Sequence, residues 1–322
     1  MSRQDSQQPT HTIGHALLSD RLMARISGPG TDKFVHGQFT QHVDEVTNEQ
    51  SLRAAACTHK GRAYCLTRLV RDGEDLLMDF DVKQADATTA HLNKYLMLFR
   101  GTTLETLPSA RIIGLIGEAA AVSVAGEKAA SLNEPGQVLR VGDSHLIRIE
   151  NTSDHTPRYE WWQTTDEQAV PEDIPEITPE QWLASSISAG VPWLTEASQE
   201  TYVPQMLNLQ HLQGVHFKKG CYTGQEVIAR MHFLGQLKKS LHRLSFNNAP
   251  QAPAVGTKLL AEGKAVGEVV NALMTGDQSG EMLAVIRHDA SSKALSLDGM
   301  DEVTVSLQPL PYAVPEQQPS DT

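Results

Sequence analysis

The sequence predicts an α+β protein of about two or three domains, a reading that rests on three observations. Strand candidates and helical stretches are mixed through the first 240 residues without the regular alternation of a doubly wound sheet. After about residue 241 helical periodicity disappears and short strand candidates follow one another, as in a small β domain. The length, 322 residues, exceeds what one simple unit holds.

The elements follow in order. Residues 1–12 and 313–322, rich in Gln, Pro, Ser and Asp, offer too few large apolar side chains to offset their ordering entropy and read as flexible tails. Residues 22–26 alternate as a half-buried strand that ends at Gly28-Pro29-Gly30, after which Thr31 or Asp32 is placed to cap a short helix. Residues 63–80 read as a hairpin turning at Asp72-Gly73, where positive φ is required. Between 85 and 99, Leu92, Tyr95, Leu96 and Phe99 recur at helical spacing and need a sheet to pack on. Strands are expected at 111–117, 121–125, 137–141, 145–149 and 158–163. The proline-rich acidic stretch 166–181 is a connector before a helix starting at Gln181-Trp182-Leu183. Strands at 241–246, 257–261, 265–273, 282–288 and 303–307 complete the chain, so a boundary near Ser240 divides 13–240 from 241–312.

Composition narrows the function. With 40% hydrophobic and 20% charged residues the chain is of soluble globular type. Its three cysteines, Cys57, Cys65 and Cys221, form no CxxC pair, which argues against a disulfide framework and for a reducing compartment. The polar N-terminus has no apolar signal core, and no run approaches the roughly 18 apolar residues of a membrane span, so the expectation is a cytoplasmic protein without a membrane partner. A net charge of -12 speaks against coating nucleic acid by bulk charge, while leaving room for a local basic patch.

The most informative stretch is 214–230. Thr223 and Glu226 have the spacing of a capping box, which predicts a helix from Gly224 with its N-terminal amides near Cys221. The helix dipole and Lys219 would both favour a thiolate there, making Cys221 a candidate reactive thiol; a buried, inert cysteine is the alternative. Gly220 and Gly224 permit a sharp turn and close ligand approach. Residues 215–243 carry six basic side chains, Lys218, Lys219, Arg230, Lys238, Lys239 and Arg243, against the single acid Glu226. Such an island suits an anionic ligand or an RNA backbone, or is simply a solvated charged face. Cys57, His59 and Cys65 have no standard zinc spacing, and no metal site is expected.

Tyr202-Val203-Pro204-Gln205-Met206-Leu207-Asn208-Leu209, followed by the run from Gly214 through Lys218-Lys219-Gly220-Cys221-Tyr222-Thr223-Gly224-Gln225-Glu226, resembles the YgfZ family of folate-binding, tRNA-modifying proteins. Agreement extends to Gly37-Gln38-Phe39-Thr40, Lys60-Gly61-Arg62, Arg71-Asp72-Gly73, Gln181-Trp182-Leu183, Ala189-Gly190 and Pro309-Leu310-Pro311-Tyr312. The resemblance implies a three-domain ring related to the glycine-cleavage aminomethyltransferase, with a small C-terminal β-barrel and tetrahydrofolate, or a polyglutamylated derivative, in a central channel. It implies a part in tRNA methylthiolation and in maintaining iron-sulfur enzymes, with those enzymes or their assembly factors as partners and tRNA engaged indirectly.

On this resemblance Cys221 and Lys219 take the signature positions, as functional thiol and as the group lowering its pKa. Trp182 matches a folate-contacting tryptophan able to stack on a flat ring, and Gln205 and Asn208 join it as folate contacts. Arg21 departs from the pattern: it stands where some relatives have a second tryptophan, so a guanidinium stacks there or that wall differs. Lys218, Gly220, Tyr222, Thr223, Gly224, Gln225, Glu226 and Arg230 are expected at the ligand or partner surface. The aminomethyltransferases use a carboxylate in the stretch that here reads Gly61-Arg62-Ala63-Tyr64-Cys65-Leu66, and another where this chain has Ile187-Ser188-Ala189-Gly190. Aminomethyl transfer is therefore not expected. Three rivals remain: a folate-dependent one-carbon transferase, an RNA-binding module using the basic island, and a scaffold presenting Cys221 to an iron-sulfur client.

Overall fold

The computed structural model describes residues 11–166, 168–235 and 237–314. The two expected tails, but for residues 11, 12, 313 and 314, lie outside the described residues. The chain begins β1 (Gly14–Leu17), β2 (Arg21–Ser27), α1 (Thr31–Gln38), β3 (Leu52–Cys57), β4 (Ala63–Asp72), β5 (Asp75–Asp81), α2 (Ala85–Leu96) and β6 (Thr103–Thr106). It continues β7 (Arg111–Ile116), α3 (Glu118–Ala125), β8 (Val138–Val141), β9 (Ser144–Ile149), β10 (Arg158–Gln163), α4 (Pro179–Ser188) and α5 (Gln225–Phe233). The last part is β11 (Lys239–Asn247), β12 (Lys258–Ala261), β13 (Lys264–Met274), β14 (Ser279–Arg287), β15 (Ser296–Leu297) and β16 (Thr304–Gln308).

These strands form three antiparallel sheets, in the orders β3-β4-β5-β2-β6, β1-β7-β10-β9-β8 and β15-β12-β13-β14-β11-β16. The first is organised by the β4–β5 hairpin, whose turn places Gly73 at φ 64° and pairs Asp72 with Asp75. Alternation explains why β5 is apolar throughout. Leu76, Met78 and Phe80 enter the core under α1 and α2, with Phe34 and Leu92. Leu77 faces the other way, into a core shared with Ile147, Trp162 and Trp182 of the second sheet and α4. A strand buried on both faces cannot show a polar alternation. The third sheet, six strands forming the expected small C-terminal β unit, also has two apolar faces. Phe246, Val269 and Ile286 close its own core, while Leu241, Val270, Leu283 and Val285 pack on Ala55, Ile187, Tyr202 and Leu207. The C-terminal sheet thus shares a core with the preceding chain.

Some local expectations are corrected. Residues 121–125 are not a strand but the end of α3. The Val122-Ser123-Val124 alternation is overridden by the alanines at 119–121, the strongest helix formers, which start a helix just after Gly117 at φ 96°. α1 begins at Thr31 without a side-chain cap, because Gly30 is the cap position and the Thr31 hydroxyl donates to the Gly28 carbonyl. Pro179 belongs to α4 rather than to the connector: Thr178 caps the helix in a reciprocal box with Gln181, and proline is at home in the first turn. Phe99 falls beyond the end of α2, yet still packs edge-on against Phe34, 5.6 Å between ring centres.

Candidate functional site

A cavity opens where the first two sheets, α4 and the segment after α4 meet. Its apolar wall includes Trp182, Trp193 and Phe80; its polar wall is a set of arginines and carboxylates. Arg21, at the start of β2, donates from Nε to Asp79 at 2.7 Å and from Nη1 to Glu160 at 2.6 Å. It therefore ties β5 of one sheet to β10 of the other. Burial alone would lower the Arg21 pKa, but the two carboxylates outweigh it and raise the value. Burial would likewise raise Glu160, yet Arg21 and the neighbouring arginines hold it well below the carboxylate range. Arg53 grips Glu150 with two bonds, Nε at 2.7 Å and Nη2 at 2.6 Å. Against the effect of burial, Arg53 keeps Glu150 ionised, lowering its pKa to about 2. The departure at Arg21 thus resolves into an ion bridge, with the guanidinium 5.9 Å from the centre of the Trp162 ring.

Trp182 lines the cavity, but it does not present a bare stacking face. It is 4% exposed, and the Arg158 guanidinium lies over its ring at 4.5 Å. Gly114 of β7 makes room for it: a Cβ there would come within 2.5 Å of the indole. Trp193 is held in place from the C-terminal sheet, where Asn271 accepts from the Trp193 N–H at 3.2 Å and donates to its carbonyl at 3.1 Å.

Gln205 and Asn208 lie apart from this cavity and serve the backbone. Gln205 donates to the Ile228 carbonyl at 2.7 Å, fixing the segment to α5. Asn208, at φ 57°, pairs with both the N–H and the C=O of Leu241. Neither is among the residues lining the Trp182 cavity.

The signature loop sits on α1 and β3. Its capping box does not form: α5 starts at Gln225 after Gly224 at φ 86°, without a side-chain cap. The Thr223 hydroxyl is turned to the Gly37 carbonyl and the Gln38 side chain instead, and Glu226 is exposed. Lys219 is 5% exposed, and its ammonium donates to the carbonyls of His36 and Phe39 while lying 4.5 Å from the Tyr222 ring centre. Burial lowers its pKa to about 7. The lysine ammonium is thus engaged by the end of α1. Gln225 reaches the Lys219 carbonyl at 3.5 Å. Cys221 is exposed, as are Lys218, Gly220 and Arg230, whereas Tyr222 is buried. The Cys221 thiol is not part of the Trp182 cavity wall. Cys57 and Cys65 are buried, and desolvation pushes both thiols up.

The basic island is smaller than its sequence count. Lys219 is buried, and Arg243 is held by Glu281 at 2.6 Å, leaving Lys218, Arg230, Lys238 and the half-buried Lys239 at the surface. Phe233, at the end of α5, is 61% exposed beside them, and His232 stacks on Phe217 at 3.6 Å. No helix among the described residues is long and apolar enough to cross a membrane.

Sequence reasoning passed over Arg53, Arg68, Asp79, Glu150, Arg158, Glu160 and Trp193. A usable signal was present. Arg68 and Glu160 are charged residues inside largely apolar strand runs, Leu66-Thr67-Arg68-Leu69-Val70 and Tyr159-Glu160-Trp161-Trp162, where a charge must be buried and paired.

No protein-family model matches the chain. It is similar to the tRNA-modifying protein YgfZ of Yersinia enterocolitica, with 30% identity covering 94% of this chain and 93% of the relative. The YgfZ proteins of Escherichia fergusonii (30%, covering 93% of each chain) and Yersinia pestis strain Pestoides F (29%, covering 97% and 98%) are comparably similar. In structure it resembles the glycine cleavage system aminomethyltransferase T of Bartonella henselae, with a TM-score of 0.75, 14% identity, and coverage of 94% of this chain and 86% of the other. At that identity the likeness establishes the fold.

Proposed function

The chain belongs to the YgfZ family of tRNA-modifying proteins, and on that premise we propose that it binds tetrahydrofolate, or a polyglutamylated form, in the Trp182 cavity and supports iron-sulfur-dependent tRNA modification through Cys221. One observation carries the binding half of the reading: an aminomethyltransferase fold whose cavity joins an aromatic wall, Trp182, Trp193 and Phe80, to buried guanidiniums with unused N–H groups on Arg68 and Arg158. A planar heterocycle bearing carbonyl and carboxylate acceptors matches that combination. Binding is favoured over group transfer, since the buried carboxylates of Asp79 and Glu160 are both engaged by Arg21 and neither is free to act as a base.

Titration with reduced tetrahydrofolate, followed by tryptophan fluorescence and calorimetry, tests this directly. Saturable binding to the wild type, weakened about tenfold or more in Trp182→Ala, is the expected result; no heat and no quenching in the wild type would overturn it. Complementation of a deletion strain tests the thiol. Cys221→Ala should fold normally and fail to restore tRNA modification, and full restoration would refute a functional thiol.

A second reading, in which folate regulates a scaffold that offers Cys221 to an iron-sulfur client, is favoured by the exposure of Cys221 outside the cavity wall. It predicts that the client is captured by the wild type and lost by Cys221→Ala, with no folate consumed.

A further inference from the structure

The Trp182 cavity is lined by four guanidiniums, of Arg21, Arg53, Arg68 and Arg158, and by the buried carboxylates of Asp79 and Glu160, with Glu150 behind Arg53 and Arg68 on the wall of a second cavity. Asp20 and Asp81 also touch the cavity, but one is exposed and the other half-buried, so water screens both. The positive surplus is uneven. Arg21 and Arg53 are each paired with carboxylates through two or more hydrogen bonds. Arg68, 2% exposed, makes a single side-chain hydrogen bond, from Nη1 to Ser51 at 3.1 Å. Its Nη2 stands 3.6 Å from Glu150, and neither that nitrogen nor Nε has a hydrogen-bond partner. Arg158, 1% exposed, bonds Ser186 at 2.6 Å and the Glu150 carbonyl at 3.4 Å, and its Nε has no partner.

Buried donors left without acceptors are costly, and natural proteins rarely keep them without a reason. The two residues border the space a ligand would fill, and the unpartnered nitrogens lie buried just behind that wall. Both line the Trp182 cavity, and Arg68 and Arg53 also line a second cavity, bordered by His155, His211 and Tyr312. The arginine wall is therefore common to two chambers, with the aromatic surface on one side.

We infer that Arg68 and Arg158 form a buried oxyanion subsite that takes a carboxylate or phosphate group of the ligand seated against Trp182. It deepens the folate reading and rests on it: the glutamyl part of a reduced folate would supply the carboxylate. Burial lowers the pKa of Arg68 to about 10 and of Arg158 to about 9, so the protein leaves part of their charge uncompensated for an anion to meet. A guanidinium fork is suited to two-oxygen acceptors.

The test compares two ligands in two proteins. Calorimetry with tetrahydrofolate and with 6-methyltetrahydropterin, which lacks the carboxylates, is run on the wild type and on Arg68→Met. The expected result is a loss of about tenfold or more in tetrahydrofolate affinity with pterin affinity unchanged. Equal loss of both ligands, or no loss of either, would overturn the subsite. Should Arg68→Met fail to fold, the wild type still decides. Arginine Nε–H resonances of Arg68 and Arg158 should shift on addition of p-aminobenzoylglutamate or inorganic phosphate, and silence toward both would refute the inference. The same titration separates the two readings if tetrahydrofolate does not bind. A shift with phosphate alone would then keep the subsite and assign it to a phosphorylated ligand.

Discussion

The Lys219 ammonium donates to the Phe39 carbonyl at 2.6 Å, so the signature lysine is an anchor between its own loop and the end of α1. Burial brings its pKa down to about 7, against about 10.4 in an unfolded chain. Between those values the unfolded state binds more protons than the folded one, so this group adds stability as pH rises from about 7 to 10, and that contribution is lost as pH falls through 7. Urea melts of the wild type and Lys219→Met across this range should diverge in favour of the wild type with increasing pH. A constant difference would mean that the ammonium keeps its proton throughout.

Cys221 is the exposed thiol, while Cys57 and Cys65 are buried and pushed toward the protonated form. Native protein treated with a small thiol reagent at pH 8 should therefore consume about one equivalent quickly, with the other two thiols reacting only on unfolding. Cys221→Ser should abolish the fast phase. Rapid labelling of Cys65, followed by mass spectrometry, would instead reveal access through the Trp182 cavity, which it lines.

What could be read from the sequence was local. The Gly73 turn, the helix carrying Leu92 and the strands after residue 240 all depend on neighbours within a few positions, and they stand as expected. Thr223 and Glu226 show where such reading ends. Their spacing fits a cap, but the hydroxyl goes to Gly37 and Gln38, more than 180 residues away in the chain. The same holds for the site. Trp182 is legible through motif resemblance and Cys221 also through the glycines, lysine and helix start around it, whereas the partners of Arg21 depend on how β5 and β10 are brought together: Glu160 is 139 residues distant. Gln205 and Asn208 sit in a recognisable motif, yet their amide N–H groups are used to hold Ile228 and Leu241.

Removing the Arg21 guanidinium would strand two buried carboxylates. Arg21→Met should cost about 3–5 kcal/mol at pH 7, the usual penalty for breaking a buried pair from one side. Glu160 contributes stability above its unfolded pKa of about 4.3 because its folded value is depressed, and that contribution fades as pH falls. The gap between wild type and variant should consequently narrow below about pH 5, where the stranded Glu160 takes up a proton. Denaturant unfolding at pH 7 and pH 4.5 checks it; a gap independent of pH would place the loss in packing against Trp162 instead.

Gly224 and Gly61 bring the signature loop onto the β3–β4 turn. Gly224 holds φ 86°, and a Cβ there would lie 2.6 Å from the Thr58 carbonyl oxygen and 3.1 Å from the Gly61 Cα. Neither obstacle is a flexible side chain, so the backbone itself would have to move. Gly224→Ala combines that clash with the left-handed penalty and should cost about 2 kcal/mol or more, lowering Tm by about 4 °C or more. Gly263 is the internal control. It has φ 73° but open space around its Cβ position, so Gly263→Ala carries only the conformational part of the cost. If the two variants melt together, the close approach of the loops contributes nothing. If Gly224→Ala alone also slows thiol labelling of Cys221, the glycine contact sets the position of the functional loop as well as its stability.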